Sequence, residues 1–359
     1  MTERVLLKGN IALAEGAIRG GCRFYAGYPI TPQNELLEYM ADHMEKVGGH
    51  FVQGESEVAS IDMVWGAVAS GCRAMTSSSG PGFSLKQEGI TYMASCEMPG
   101  VVVSVMRYGM GGGDITVGQD SYLQATKGGG NGDYRMIVLS PNSVQECCDF
   151  AYGAFDLAEK YRNMVLLLSD GAIGQMIQSC DLPEPLEHDI NTYDWVLKGR
   201  KRGEEKVKDT NLNWYMGDLP WEEKTRSKLL RIKEEEQRWE NFMVEDAELV
   251  LVAYGISSCV AKQAVKLARK EGLKLGLVRP ITLWPYPEKA FAEVNPNVKG
   301  YMTIEMAIMG QMTEDVRLAT KYAKPIYSHL TAIRIPVASD VVERARAILE
   351  GKVKEEVSL

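Results

Sequence analysis

Through residues 1–180 the chain alternates between short β-like runs and longer stretches with helical apolar spacing, and this alternation most limits what it can fold into. Arg23–Tyr28, His50–Gln53, Arg73–Ser77, Gly100–Met106, Tyr134–Leu139 and Met164–Ser169 read as strands. Between them, Leu36, Leu37, Met40 and Met44, then Val58, Ile61, Val64 and Trp65, then Leu85, Ile90 and Met93 recur every three or four positions, which places each set on one helix face. A last helix reads from Ser143 to Tyr161. Strands joined by helices run parallel, because a hairpin leaves no room for the crossover. The valine-rich run Gly100–Met106 lacks polar alternation, as a strand covered on both faces does. The expected fold class is α/β, with a doubly wound parallel sheet.

In such sheets ligands bind beyond the carboxyl ends of the strands. Three segments lie there: Gly27-Tyr28-Pro29-Ile30-Thr31-Pro32, Gly54-Glu55-Ser56-Glu57 and Met106-Arg107-Tyr108-Gly109. Each offers one chemically capable group with an ordinary alternative. Thr31 followed by Pro32 suits a helix N-cap and first position, or presents a hydroxyl from a proline-stiffened loop. Glu57 in a first helical turn is favoured by the helix dipole, or is a functional carboxylate. Arg107 after an apolar strand is an anion clamp, or an ion pair to a neighbouring loop. Gly111-Gly112-Gly113 and Gly128-Gly129-Gly130-Asn131-Gly132 flank the same edge as lids or close-approach loops.

Residues 181–246 break the alternation. They hold Pro183, Pro185, a basic run (Lys198, Arg200, Lys201, Arg202) and a charged helix from about Trp221 to Phe242, either a connector packed along one stripe or a partner-binding arm. A second α/β unit fills 247–359, with strands Leu249–Ala253, Lys274–Val278 and Gly300–Glu305, a helix reaching Glu271 and another starting at Gln311.

A net charge of -8 argues against a general nucleic-acid binder. No apolar run reaches the roughly 18 residues of a membrane span, and the early charges of the first segment do not suit a secretory leader, so a cytoplasmic location is expected. Seven cysteines without a Cys-x-x-Cys pair read as free thiols, with Cys147-Cys148 in a helix and one thiol turned inward. No dinucleotide or Walker fingerprint follows a strand, and Ser78-Ser79-Gly80-Pro81-Gly82 is a turn rather than a hydrolase elbow. Ser169-Asp170-Gly171 lacks a suitably spaced asparagine for a diphosphate–magnesium site, so Asp170 reads as a structural turn residue, and no metal ligands are assigned to this chain.

Tyr-Pro-Ile-Thr-Pro at 28–32, Gly-Glu-Ser-Glu at 54–57, Thr-Ser-Ser-Ser-Gly-Pro-Gly at 76–82, Lys-Gly-Gly-Gly-Asn-Gly-Asp-Tyr-Arg at 127–135 and Arg-Pro-Ile-Thr-Leu-Trp-Pro at 279–285 together give a chain that resembles the α subunit of a 2-oxoacid:ferredoxin oxidoreductase, of the branched-chain or 2-oxoglutarate type. The resemblance spans nearly the whole chain; it departs at Glu305-Met306-Ala307, where an asparagine is expected in place of Ala307, and in the long charged connector. It implies a thiamine diphosphate pyrimidine-binding domain over 1–180, a connector or arm over 181–246 and a transketolase C-terminal-like domain over 247–359. It implies a cofactor shared with a β subunit that holds the diphosphate and Mg²⁺. Small γ and ferredoxin-like δ subunits would carry [4Fe-4S] clusters, coenzyme A would be co-substrate and ferredoxin the acceptor, in a dimer of heteromers. By motif, Glu57 would bond the pyrimidine N1′, stabilising the imino tautomer so that the 4′-nitrogen can take the thiazolium proton. Tyr28, Pro29, Ile30, Ser79 and Gly80 would line the cofactor. Thr31 would hydrogen-bond near the substrate, and Arg107 would pair with its carboxylate or with a coenzyme A group. The implied reaction is oxidative decarboxylation of a 2-oxoacid, first 3-methyl-2-oxobutanoate and next 2-oxoglutarate, to acyl-CoA, CO₂ and reduced ferredoxin. A non-catalytic scaffold subunit and a transketolase-type synthase are the alternatives of other classes.

Overall fold

The structure is a computed structural model that describes residues 3–189, 193, 195–197, 199 and 219–355. The basic run at 198–202 falls largely on residues outside that set. Fourteen strands are described: β1 Glu3–Lys8, β2 Phe24–Gly27, β3 His50–Gln53, β4 Ala74–Ser78, β5 Val101–Met106, β6 Ile137–Leu139, β7 Val165–Asp170, β8 Ile177–Leu182, β9 Trp239–Phe242, β10 Leu249–Val252, β11 Leu275–Pro280, β12 Thr282–Trp284, β13 Tyr301–Glu305 and β14 Ile326–Leu330.

The main sheet has seven strands in the order β12-β6-β7-β5-β4-β2-β3. All its pairings are parallel except β12 on β6. The six strands read from the alternation are therefore one sheet, and β12, which lies beyond β11 in the chain, closes its edge. A second sheet, β14-β13-β10-β11-β9, is parallel except for β9. β1 and β8 form a separate antiparallel pair. Neither of these two strands is expected from the sequence, because exposed residues dominate β8 and hide its alternation.

Burial explains the two-sided strands. Val102 and Met106 of β5 enter one core, Val101, Val103 and Val105 the other. The first core also takes Val250 and Val252 of β10 and Val278 of β11, so the two sheets share one apolar interior, while Leu249 and Leu251 of β10 face a third core. Helices Gly9–Arg19 and Val144–Tyr161 cross so closely that a Cβ on Gly16 would lie 2.3 Å from the Cys148 carbonyl oxygen. Cys147 and Cys148 are both fully buried, not one of the two as expected. The helix is sandwiched between the sheet and the β1–β8 layer, and the Cys148 thiol meets Cys180 there.

The charged helix spans Leu219–Glu235 and stops short of Phe242; Trp239 and Phe242 instead lie on β9, paired antiparallel with β11. It packs onto the first unit. Lys224 and Lys228 reach the buried Glu97 carboxylate at 2.6 and 2.9 Å, Tyr161 donates to Glu235 and Glu236 at 2.6 and 2.7 Å, and Ile232 is fully buried.

Candidate active site

β2 delivers the chain to Tyr28-Pro29-Ile30-Thr31, and after a cis Thr31–Pro32 bond the next helix begins only at Asn34. Gln33 occupies the N-cap position, and no side chain caps the helix. Thr31 is thus not the cap; it stands three residues before the helix, exposed, with no hydrogen bond to its hydroxyl from the described residues. The loop is fixed from beneath: Gln33 Nε2 donates to the Tyr28 carbonyl at 3.3 Å, Ser77 Oγ donates to Gln33 Oε1 at 2.5 Å, and Ser77 Oγ lies 2.5 Å from Tyr25 Oη. Asn10 Nδ2 holds the Pro32 carbonyl at 2.7 Å. Tyr28 and Pro29 are exposed and Ile30 half-buried, so this stiffened loop offers its surface at the strand end.

Arg107 follows β5 and reaches back across the sheet edge. Its Nη1 donates to the Thr31 carbonyl at 2.8 Å and its Nη2 to the Gly112 carbonyl at 2.5 Å, while the buried Nε has no partner among the described residues. The alternative of an ion pair to a loop is not realised among the described residues, where no carboxylate lies within 4.0 Å of this guanidinium. Gly80, with φ of +44°, brings its backbone against it, and a Cβ there would lie 3.1 Å from Arg107 Nε.

The segment expected to be one turn followed by one helix is a buried N-cap, Ser79, with a short helix Gly80–Leu85, and a second helix Gln87–Ser95. The break exchanges the expected apolar position for its neighbour: Leu85 is 52% exposed and Lys86 is 0% exposed. Ser78 and Ser79 hydroxyls are buried without partners. Glu57 opens helix Glu57–Ala69 as predicted, with Ser56 Oγ accepting from the Ala59 amide at 3.2 Å. Glu57 is 7% exposed, and its carboxylate accepts no hydrogen bond from the described residues. Gly82 makes room for it, since a Cβ there would meet Glu57 Oε1 at 2.5 Å and Ser78 Oγ at 2.3 Å.

The three predicted groups therefore share one sheet edge. Thr31 and Arg107 are joined directly, and Glu57 stands at the far end of the Gly80–Gly82 turn that Arg107 touches at its near end. Gly80 and Arg107 also line a cleft of about 1260 Å³ between the units, with Tyr108–Gly111 on one side and Ile308–Gln311, Ser328 and Leu330 on the other. The carboxyl ends of β5, β13 and β14 all open toward it. Of the two glycine-rich runs, Gly111 and Gly113 form part of the wall. The other does not border the cleft. Gly129 and Gly130 pack against Gln87 and Thr91, and the Gly130 amide donates to Tyr134 Oη at 3.1 Å.

Asp170 is the structural residue its turn setting implies, in a larger role than a turn. Its Oδ1 accepts from the Ile173 amide at 3.0 Å and its Oδ2 from the Ile256 amide at 2.9 Å, so one carboxylate caps a helix in each unit. Burial pushes its pKa up while those backbone donors pull it down. No group of three or more His, Cys, Asp or Glu among the described residues could hold a metal ion.

Two groups escape the sequence. Lys86 is masked by the helix break that turns it inward. Glu305, fully buried at the end of β13, has Oε1 without a partner among the described residues and Oε2 accepting from the Met312 amide at 3.0 Å; burial raises its pKa to about 8. An acid ending the apolar run Tyr301-Met302-Thr303-Ile304 is the signal that could have found it.

Two protein-family models match the chain: pyruvate flavodoxin/ferredoxin oxidoreductase, thiamine diphosphate-binding, over residues 15–223, and pyruvate:ferredoxin oxidoreductase core domain II over 247–333. Ketoisovalerate oxidoreductase subunit VorB of Methanothermobacter marburgensis is 48% identical over 319 residues, 88% of this chain and 89% of that protein. The 2-oxoglutarate synthase subunit KorA of Methanothermobacter thermautotrophicus is 36% identical over 343 residues, covering 88% of this chain and 91% of its own. Among solved structures, the 2-oxoglutarate:ferredoxin oxidoreductase from Magnetococcus marinus, with 2-oxoglutarate, coenzyme A and succinyl-CoA bound, superposes with a TM-score of 0.84 at 28% identity over 96% of this chain and 65% of that one. A split-gene transketolase, an inactive β4 tetramer, matches at TM-score 0.58 and 12% identity over 97% of this chain and 99% of its own, a likeness of fold alone.

Proposed function

Since the chain belongs to the pyruvate flavodoxin/ferredoxin oxidoreductase family, whose members oxidatively decarboxylate 2-oxoacids with coenzyme A and ferredoxin, we propose that it is the α subunit of a 3-methyl-2-oxobutanoate:ferredoxin oxidoreductase. The observation that carries the substrate is the lining of the cleft. Arg107 is its one cationic side chain among the described residues, and Met110, Leu123, Ile308, Met309 and Leu330 supply apolar surface. That suits one carboxylate with a branched apolar tail. A second carboxylate, as in 2-oxoglutarate, would meet Asp114, Asp120 and Glu314 instead of a second cation. The greater identity to the ketoisovalerate subunit points the same way.

The residues at the sheet edge fit a thiamine pyrimidine. Glu57 offers a carboxylate free of internal hydrogen bonds, and Gly82 leaves no Cβ beside it. When bound, thiamine diphosphate supplies a nucleophilic carbon and an electron sink for decarboxylation. Glu57 holds the proton at pyrimidine N1′. Tyr28, Pro29 and Ile30 present the loop surface, and Ser79 and Gly80 the turn, against which the ring lies. Arg107, already orienting the Thr31 carbonyl, pairs with the substrate carboxylate, and Thr31 Oγ donates beside it. A β subunit holds the diphosphate and Mg²⁺. The γ and δ subunits carry the [4Fe-4S] clusters that pass electrons to ferredoxin, and coenzyme A takes the acyl group. The assembly is a cytoplasmic dimer of heteromers.

The test is the complex reconstituted with its partner subunits and assayed for coenzyme-A-dependent viologen reduction over a panel of 2-oxoacids. Expected is a higher kcat/KM for 3-methyl-2-oxobutanoate than for 2-oxoglutarate, and loss of turnover by at least about 100-fold in Glu57→Ala. Preference for 2-oxoglutarate overturns the substrate. Near-normal turnover in Glu57→Ala overturns the catalytic role and leaves a scaffold subunit.

A further inference from the structure

Lys86 lies at the junction of helices Gly80–Leu85 and Gln87–Ser95, with no exposed surface. Its ammonium donates to the backbone carbonyl of Glu57 at 3.2 Å, and no carboxylate forms a salt bridge with it among the described residues. A buried ammonium without a paired carboxylate is an expensive thing for a fold to keep, and a methionine of similar length would fill the same space without that cost. Burial depresses the amine to about 7, and Glu57 is the charge that opposes the shift. The other acids nearby act on each other rather than on Lys86: Asp62 on the helix opened by Glu57 is raised by its own burial and by Glu88. One buried lysine thus sits beside a carboxylate that accepts no hydrogen bond from the described residues, in the segment whose Gly82 lies against that carboxylate.

We propose that Lys86 is a positioning residue for Glu57, tying the Glu57 backbone to the Gly80–Gln87 segment and setting an amine charge beside the carboxylate where it meets the pyrimidine. The inference rests on the reading that Glu57 faces pyrimidine N1′. A positive charge on Lys86 disfavours a further proton on the carboxylate–pyrimidine pair as a whole. Removing the cation stabilises the protonated form of the coupled carboxylate–pyrimidine pair, and its loss of a proton moves to higher pH.

The experiment uses the reconstituted complex with Lys86→Met, which keeps the stem and removes the charge, and Lys86→Gln, which keeps a hydrogen-bond donor without charge. Three quantities are read: the cofactor dissociation constant by calorimetry, the pH midpoint of the cofactor's tautomer band in near-ultraviolet circular dichroism, and kcat. For both variants the expected result is cofactor affinity within about threefold of the parent and kcat lowered about tenfold or more. The midpoint is expected to rise by about one pH unit or more. An unchanged midpoint in an assembled variant overturns the proposal, and so does failure of both variants to assemble, which would assign Lys86 to folding. If Glu57→Ala retains turnover, the reading of Glu57 fails; if Glu57→Ala is inactive and the Lys86 variants behave as the parent, only this inference fails.

Discussion

The two sheets present carboxyl ends to the same cleft, and near such an end each has a buried acid, Glu57 opening the helix after β3 and Glu305 closing β13, yet the two acids have opposite surroundings. Glu57 stands at a helix N-terminus with a lysine beside it, and among the described residues neither its carboxylate nor the Ser78 and Ser79 hydroxyls nearby have a hydrogen-bond partner. Glu305 is buried completely, holds the Met312 amide, and is surrounded by Asp315 and the buried Tyr122, Tyr254 and Tyr286. The first stands beside a lysine and at a helix N-terminus, the setting proposed above for a carboxylate that meets an external partner. Burial among other acids keeps the second protonated near neutrality, holding a turn of the cleft wall.

The sharpest way to break the comparison is to crowd Glu57 without touching its chemistry. In Gly82→Ala the new Cβ would fall 2.5 Å from Glu57 Oε1 and 2.3 Å from Ser78 Oγ, so the carboxylate or the turn must shift. A displacement of about 1 Å at a reacting group costs on the order of 100-fold. Turnover of the reconstituted complex should fall by that much while assembly, followed by size-exclusion chromatography, is retained. Unchanged turnover would show that Glu57 need not sit where the turn places it.

The next effect is on stability and concerns the link between the two regions. Asp170 caps one helix in each unit, through the amides of Ile173 and Ile256. Loss of a cap costs about 0.5–2 kcal/mol each, so Asp170→Ala should lower unfolding stability by about 1–4 kcal/mol in denaturant titration. Asp170→Asn, which keeps one acceptor oxygen, should recover part of it. An unaltered midpoint for the alanine variant would mean that the second unit docks without this shared cap.

The main sheet was legible because valine-rich runs and turn residues repeat over its whole breadth, and covered parallel strands leave that plain mark. Glu57 was legible as a first-turn acid after Ser56. Thr31 was misread locally: Thr-Pro has the form of a cap, but the helix starts at Asn34 and its hydroxyl is left for another use. The segments that escaped are those whose structure is set by partners far along the chain. β8 and β1 pair across more than a hundred residues, β9 joins a sheet after a helix whose apolar stripe seemed to continue through Trp239 and Phe242, and β12 is three residues long. Lys86 was invisible for a different reason. Apolar periodicity assigns the inward position to Leu85, and only a one-residue break between two short helices turns the lysine in instead.

The smallest effect separates the two acids' neighbourhoods by the sign of their pH dependence. Glu305 is raised to about 8 in the folded chain from an ordinary value of 4.5. Between those values the native state binds the extra proton, so this contribution to stability is complete below about 4.5 and is lost as the pH rises through about 8. Lys86 is lowered from 10.5 to about 7. There the unfolded state binds the extra proton, so its contribution is complete above about 10.5 and is lost as the pH falls through about 7. Chemical denaturation of the chain from pH 5 to 10 should therefore show a falling limb that Glu305→Gln flattens and a rising limb that Lys86→Met flattens. If Glu305→Gln leaves the slope below pH 8 unchanged, its carboxyl is ionised in the fold. The Glu305 oxygen without a partner among the described residues would then have to be read, as proposed for Glu57, as an acceptor for a ligand.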